Sequence, residues 1–140
     1  MLDTNTVSYI LKGKSPAARA RLSGLPSADK ACISAITEGE LLFGLDRIGS
    51  GVTRRNALQV LLAKLQVLPW GREEAVSYGA FRSGQEAIGR SLGPLDTLIA
   101  AHAIAVGAIL VSNDTVFPYA QGLPGLEAWA TDLPRKRPLP

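Results

Sequence analysis

The sequence is poor in the residues that build covalent cross-links and thiolate metal sites. Its 140 residues include one cysteine, Cys32, and one histidine, His102. A single cysteine excludes an intramolecular disulfide, and these two residues are too few for a structural zinc site. The longest apolar stretch, residues 98–111, is interrupted by His102 and Gly107 and is shorter than the roughly 18 residues of a membrane span. Residues 1–3 leave no room for a leader peptide, so we expect a cytoplasmic protein.

The charge balance is mildly basic. Fifteen Lys and Arg residues against twelve Asp and Glu residues give a net charge of +3, which is compatible with a polyanionic partner. Hydrophobic residues make up 46% of the chain and charged residues 19%, the balance of a folded globular protein. This length suits a single domain, which we place at residues 1–133, followed by a basic, flexible tail at residues 134–140.

Short apolar segments alternate with helical ones along the chain. Strands are predicted at the start of the chain and at residues 31–34, 66–68, 109–111 and 126–128. Helices are predicted over residues 7–11 (with a cap among residues 4–6), 16–22, 36–47, 54–64, 72–90 and 95–106. This alternation predicts a central parallel sheet covered by helices on both faces, a three-layer α/β/α sandwich.

Four acidic residues are expected beyond the carboxyl ends of the strands, where ligands gather in parallel sheets. Asp3 ends the first strand, Glu40 lies one turn into the helix after the second, and Asp114 follows residues 109–111. Asp96 opens the helix before that strand and has to point to the same edge to join the others. Carboxylates held together raise one another's pKa unless a cation intervenes, and oxygen ligands favour Mg²⁺ or Mn²⁺. Such a site suits metal-assisted cleavage of a nucleic-acid backbone.

Each acid also has a structural interpretation. Asp3 can cap the first helix, Asp96 can stabilise a helix dipole, and Asp114 lies in a typical turn sequence. In the helix at residues 36–47, periodicity places Glu38 within the apolar stripe and does not choose between Glu38 and Glu40 as a ligand. The residues alone leave these alternatives open.

Four motifs resemble those of PIN-domain nucleases, and in particular their VapC-like members. The first is Leu-Asp-Thr-Asn at residues 2–5, and the second, at residues 34–44, is a serine and a threonine followed by Glu-Leu-x-x-Gly. The third and fourth span residues 93–103 and 110–117. All four occur in order over nearly the whole chain, and the ending Gly-Leu-Glu-Ala-Trp at residues 125–129 is also typical of VapC-like members.

The resemblance implies an activity and partners. It implies a PIN-like fold and an endoribonuclease toxin that hydrolyses RNA, often tRNA, with Mg²⁺ or Mn²⁺. It also implies a homodimer and a VapB-like antitoxin whose C-terminal segment fills the active-site groove.

The resemblance also implies a set of site residues. It favours Glu40 over Glu38, because the family's glutamate stands immediately before the leucine of its second motif. Asn5 and Ser112 correspond to polar residues beside the site. In the fourth motif, the position before phenylalanine usually carries an acid and here carries Val116. The implied metal ligands are Asp3, Glu40, Asp96 and Asp114.

The sequence has two alternative functional interpretations besides a PIN-domain nuclease. Residues 3–7 also resemble the Asp-x-Asp-x-(Thr/Val) nucleophile loop of haloacid-dehalogenase-like phosphohydrolases, with Asn5 in place of the second aspartate. A PIN-like module that binds a protein or RNA without catalysis is the second alternative. The full set of four acids argues against that module, because a site without catalytic activity has no need of four carboxylates that repel one another.

The basic residues that follow the first strand are candidates for gripping RNA phosphates. These are Lys12, Lys14, Arg19 and Arg21. His102 lies on an apolar helical stripe, so we expect a packed, hydrogen-bonded histidine rather than a general base.

Overall fold

The computed structural model describes residues 1–49 and 51–134. The helices of this part are α1 (Thr4–Leu11), α2 (Pro16–Ser23), α3 (Ala35–Arg47), α4 (Val52–Leu62), α5 (Arg72–Ala87) and α6 (Pro94–Val106). A 3-10 turn, η1, spans Phe117–Tyr119. The strands are β1 (Cys32–Ser34), β2 (Gln66–Leu68), β3 (Leu110–Val111) and β4 (Leu126–Glu127).

The N-terminal segment joins two pairs of parallel strands. β1 pairs with β2, and β3 pairs with β4. Residues 1–3 lie between the pairs, because the backbone N–H of Leu2 donates to the carbonyl of Cys32 (2.8 Å) and that of Asp3 donates to the carbonyl of Val111 (3.0 Å). Leu2 also forms a parallel bridge with Val111. The chain therefore begins in the middle of the sheet, and Asp3 stands at its carboxyl edge.

Side chains alternate between two hydrophobic cores, one on each face of the strands. One core contains Leu2, Ile33 and Val111 together with residues of α1, α2, α3 and α4. The other contains Met1, Cys32 and Leu110 together with Phe81 of α5 and residues of α6. Helices thus cover both faces of a parallel sheet, and the predicted three-layer α/β/α architecture is confirmed.

Polar side chains cap the starts of several helices. Ser15 caps α2 by accepting from the backbone N–H of Ala18 (3.1 Å), and Ser34 caps α3 in the same manner. The expected cap of α1 among residues 4–6 is wrong. The helix begins at Thr4 and its cap is Asp3, because a carboxylate in extended backbone is an effective acceptor for the first amides.

The other predicted helices and strands are found, with their ends within three residues of the predicted positions. The sequence did not indicate η1, which Pro118 starts at its first turn. Residues 135–140 of the predicted tail lie outside the described residues. Within residues 1–49 and 51–134, no helix combines the length and apolar character needed to cross a bilayer.

Asn113 provides a test of how β3 is joined to the chain after β4. Its buried side chain donates to the carbonyl of Ala130 (2.7 Å) and accepts from the backbone N–H of Ala130 (3.2 Å). Asn113→Ala should lower the free energy of unfolding by about 2–4 kcal/mol, because two buried backbone groups lose their partner. Asp46→Ala, which removes an exposed ion pair with Arg55, should cost less than about 1 kcal/mol in the same denaturant titration. Equal losses in the two variants would contradict this role of Asn113.

Candidate active site

The candidate site is built around Asp3, at the carboxyl edge of the sheet. The side chain is 3% exposed, since the segment that carries it lies between β1 and β3. One carboxylate oxygen, Oδ1, accepts from the backbone N–H of Thr6 at 2.7 Å, and Oδ2 accepts from the hydroxyl of Ser112. Asp3 is therefore both the cap of α1 and a carboxylate held in one orientation by two neighbouring elements.

The environment of Asp3 opposes its ionisation. Burial raises the pKa of its carboxyl group above the ordinary value, and the negative charge of Asp114 raises it further. The hydrogen bonds from Ser112 and Thr6 act in the other direction, because they stabilise the carboxylate. A cation beside Asp3 would remove much of this electrostatic cost.

Asp114 follows β3 and lies on the same edge as Asp3. Ser112 connects the two acids, because its hydroxyl oxygen accepts from the backbone N–H of Asp114 (3.0 Å) while its hydrogen is donated to Asp3. Asp114 Oδ1 accepts from the backbone N–H of Val116 (3.1 Å), which closes the turn after the strand. Asp114 thus has the turn role that its sequence suggested and also contributes charge to the Asp3 site.

Glu40 reaches the same region through Thr4. Its Oε2 atom accepts from the hydroxyl of Thr4 at 2.6 Å, and Thr4 is the residue after Asp3. This contact links the first turn of α1 to α3, which pack together. The choice of Glu40 over Glu38 as a metal ligand stays a prediction.

Asp96 lies in the first turn of α6, as predicted. Its Oδ2 atom is 3.3 Å from the position that a Cβ on Gly93 would occupy, so the carboxylate lies over the start of the helix, where a negative charge stabilises the helix dipole. In the described part of the chain, no three acidic, histidine or cysteine residues are close enough to form a metal cluster. The convergence of all four acids therefore stays a prediction, as does the placement of Asn5 beside the site.

The residues at the edge suit a hard divalent cation. Asp3 and Asp114 present carboxylate oxygens. Burial and the charge of Asp114 raise the pKa of Asp3, so a cation would stabilise its ionised form. Mg²⁺ is commonly held by one or two carboxylates and several waters, so the fit does not require all four acids. The donor set contains neither thiolate nor imidazole, which favours Mg²⁺ or Mn²⁺ over softer ions.

Two residues of the site were missed by reasoning from the sequence. Thr4 was assigned only to a helix start, although it binds Glu40. Tyr9 lies on α1, and its pKa is raised by burial and by the charges of Asp3 and Asp114. Helical periodicity alone could not identify the interaction of Thr4 with Glu40 or of Tyr9 with Asp114, because these partners lie 36 and 105 positions away in the chain.

Of the predicted phosphate-binding residues, Lys12 and Lys14 follow the C-terminal end of α1, and Arg19 and Arg21 lie on α2. Lys12 is separated from Asp3 by the whole helix, a length of about 13 Å. Arg21 pairs with Glu127 at 2.9 Å and stacks on Trp129, so part of its charge is already compensated. The RNA-binding role of these four residues stays a prediction.

His102 is a buried packing residue, as its apolar stripe predicted. It is fully buried, and its Nδ1 atom is hydrogen-bonded to the hydroxyl of Ser34 at 2.8 Å. Burial lowers the pKa of His102, which keeps the ring neutral although Glu74 lies 3.9 Å away. The ring connects α6 to the start of α3 and gives no indication of a general base.

Comparison with known proteins places this geometry in context. The sequence profile of the PIN domain matches residues 1–123. The tRNA(fMet)-specific endonuclease VapC of Shigella flexneri is 33% identical over 117 residues, which cover 82% of this chain and 86% of the relative. Ribonuclease VapC2 of Haemophilus influenzae is 34% identical over 116 residues, covering 81% of this chain and 85% of the relative.

Two solved structures are similar over nearly the whole chain. The structure of VapBC2 from Rickettsia felis, bound to a DNA fragment from their promoter, superimposes with a TM-score of 0.86 at 30% identity, covering 92% of this chain and 97% of the other. DNA-bound VapBC from Salmonella typhimurium superimposes with a TM-score of 0.78 at 32% identity, with coverages of 92% and 96%.

Replacement of Asp3 tests the electrostatic cost of the site. Since the pKa of Asp3 is raised in the folded protein, the folded state holds this proton more tightly than the unfolded chain, whose value is near 3.8. Stability is therefore lost as the pH rises from 3.8 through the folded pKa. Asp3→Asn keeps a capping side chain but removes the buried charge, so we expect a higher Tm at pH 7 by differential scanning calorimetry. Asp46→Asn, at an exposed site, should leave Tm unchanged, and a lower Tm for Asp3→Asn would refute the account.

Proposed function

This chain belongs to the PIN-domain family and is a VapC-like ribonuclease toxin, and from that premise we propose that it hydrolyses RNA with Mg²⁺ or Mn²⁺ at the site around Asp3. The observation that carries the proposal is the buried Asp3 carboxylate, which is oriented by Ser112 and whose pKa is raised by burial and by the charge of Asp114. Family membership also decides against the haloacid-dehalogenase-like alternative.

The residues of the chain have distinct roles in this proposal. Asp3 and Asp114 hold the divalent ion, Ser112 fixes the orientation of Asp3, and Glu40 and Asp96 complete the acidic rim. The chemistry that the ion supplies is a lowered pKa for a bound water and neutralisation of charge on the phosphate. Attack by water on phosphorus breaks one P–O bond and leaves one phosphate end and one hydroxyl end.

We infer that the substrate is a tRNA. The support is the 33% identity to a relative that is named for its action on tRNA(fMet). A structured RNA with an unpaired loop also suits a site at the open edge of a sheet, because a strand has to leave its duplex to bring a phosphodiester against the carboxylates.

An antitoxin is the proposed partner, and a groove beside α1 is its proposed docking surface. This groove has a volume of about 980 Å³ and lies between α1, α2 and α4. Apolar side chains that line it include Leu11, Leu22 and Val60, and Val60 is 63% exposed. The similar structures from Rickettsia felis and Salmonella typhimurium are of VapBC, which supports an antitoxin as the partner of this chain. Formation of a homodimer stays a prediction.

The nuclease assignment is tested with purified protein and a labelled tRNA. EDTA should abolish cleavage, and added Mg²⁺ or Mn²⁺ should restore it. Asp3→Asn, Glu40→Gln, Asp96→Asn and Asp114→Asn should each lower the cleavage rate by at least about 100-fold, since even supporting residues of metal sites contribute 10–100-fold.

Glu38→Gln is the matched control, because Glu38 lies two residues from Glu40 on the same helix. Its cleavage rate should equal that of the wild type. Cleavage that continues in EDTA, or that survives in Asp3→Asn with an unchanged circular dichroism spectrum, would contradict the proposed function.

The docking surface is tested by placing a charge in the groove. Val60→Glu should weaken binding of a VapB-like antitoxin by at least about fivefold, because a buried apolar contact is replaced by a desolvated carboxylate. Val76→Glu on α5 is the control, as Val76 is 70% exposed on the opposite side of the sheet. Isothermal titration calorimetry measures both, and equal affinities for the two variants would rule out this groove.

A further inference from the structure

A buried glutamine joins two surface segments on the α5–α6 side of the molecule. Gln85 is 2% exposed. Its Nε2 atom donates to the carbonyl of Arg90 (3.1 Å) and to the carbonyl of Tyr119 (3.2 Å), and its Oε1 atom accepts from the backbone N–H of Gln121 (3.0 Å). Because all three contacts are to backbone atoms, Gln85 fixes the paths of the segments at residues 88–93 and 117–121 independently of their side chains.

This arrangement presents a cation and an aromatic ring side by side on the surface. The guanidinium of Arg90 lies over the ring of Tyr119, 4.5 Å from its centroid. Arg90 is exposed, and Tyr119 is 53% exposed. The exposed stack of Arg90 on Tyr119 gains little free energy from burial. The buried side chain of Gln85 nevertheless holds the backbone of both residues in place. We name Arg90 and Tyr119 the Arg–Tyr pair.

The Arg–Tyr pair is carried by the same two segments as two of the predicted acids. Arg90 precedes the start of α6, where Asp96 lies in the first turn, and the hydroxyl of Thr97 donates to the carbonyl of Gly93 at that start (2.8 Å). Tyr119 follows the turn after β3 that contains Asp114. Each member of the pair is thus joined by a short segment of chain to one of the predicted acids.

A small cavity lies beside the pair. It has a volume of about 200 Å³ and is lined by Tyr78 and Arg82 of α5, by Gln85, and by residues of the segment before α6. Arg82 lies over the ring of Tyr78, 6.0 Å from its centroid, and is also paired with Glu86. Typical small-molecule pockets exceed about 300 Å³, so this space suits a single planar group better than a whole ligand.

We propose that the Arg–Tyr pair binds an unpaired nucleobase of the RNA substrate next to the cleavage site. The base stacks on the exposed ring and guanidinium, and the charge of Arg90 faces the adjoining phosphate. Stacking on aromatic rings and guanidinium planes is how proteins bind unpaired bases, and it is worth about 1–3 kcal/mol per base. This inference rests on the proposed function, because it assigns a base-binding subsite to the same ribonuclease.

The test measures RNA binding separately from cleavage. A fluorescein-labelled RNA stem–loop and a blunt RNA duplex of equal length are titrated with the full chain in EDTA, and fluorescence anisotropy gives each Kd. Tyr119→Ala should weaken binding of the stem–loop by at least about fivefold, Tyr119→Phe should bind as the wild type does, and the duplex should discriminate little between them. Arg90→Gln should also weaken stem–loop binding and reduce the salt slope by about 0.7, the value for one phosphate contact on a single strand.

Arg54→Gln on α4 is the matched control, because it removes an exposed arginine from the helix layer on the other face of the sheet. It should bind the stem–loop as the wild type does. If Tyr119→Ala proves unstable in a thermal melt, photo-crosslinking of wild-type protein to a stem–loop with 4-thiouridine in its loop decides the question, with adducts expected at Tyr119 or Arg90.

The outcomes separate the two proposals. If the wild type cleaves RNA with Mg²⁺ or Mn²⁺, while Tyr119→Ala and Arg90→Gln bind the stem–loop normally or crosslinks form elsewhere, the base-binding subsite is overturned and the nuclease assignment stands. If the wild type does not cleave RNA under any of these conditions, the proposed function fails. Equal losses for Arg54→Gln and Arg90→Gln would show general charge attraction only, and would also overturn the subsite.

Discussion

The burial of one carboxylate is the constraint on which the site depends. Asp3 is at the end of a segment that completes the sheet, so water is excluded from it, and the hydroxyl of Ser112 and the amide of Thr6 supply its hydrogen bonds. These contacts orient the carboxylate but do not neutralise it, and the nearby charge of Asp114 adds to the cost. A protein retains such a destabilising carboxylate when its charge has a function. Binding of a divalent cation is the function that fits these oxygen donors.

The fold delivers this group with little structure. Strands β1 to β4 are two or three residues long, and the N-terminal segment contributes a single bridge at Leu2. Parallel alignment brings Asp3 and the Ser112–Asp114 turn to one edge, because both follow their strands immediately. The chain continues from the Asp114 turn into η1, which carries Tyr119, one of the two residues proposed to bind a base.

Much of this arrangement follows from local sequence signals. Apolar segments separated by turn residues located the strands and helices, and the position of each acid after a strand or at a helix start indicated the functional edge. Contacts between distant residues could not be obtained in this way. Thr4 binds Glu40 on α3, and Gln85 binds backbone atoms, so the side chains of its partners give no signal. Lys12 is near Asp3 in the sequence but a helix length away in the structure. Each depends on how elements pack, which periodicity does not encode.

The central claim is that the edge at Asp3 and Asp114 attracts a divalent ion, and paramagnetic NMR with Mn²⁺ tests it most directly. Substoichiometric Mn²⁺ broadens the amide signals of residues near the bound ion before all others. We expect early broadening at residues 3–6 and 112–116, and its loss in Asp3→Asn. Broadening centred elsewhere, or unchanged in Asp3→Asn, would contradict it.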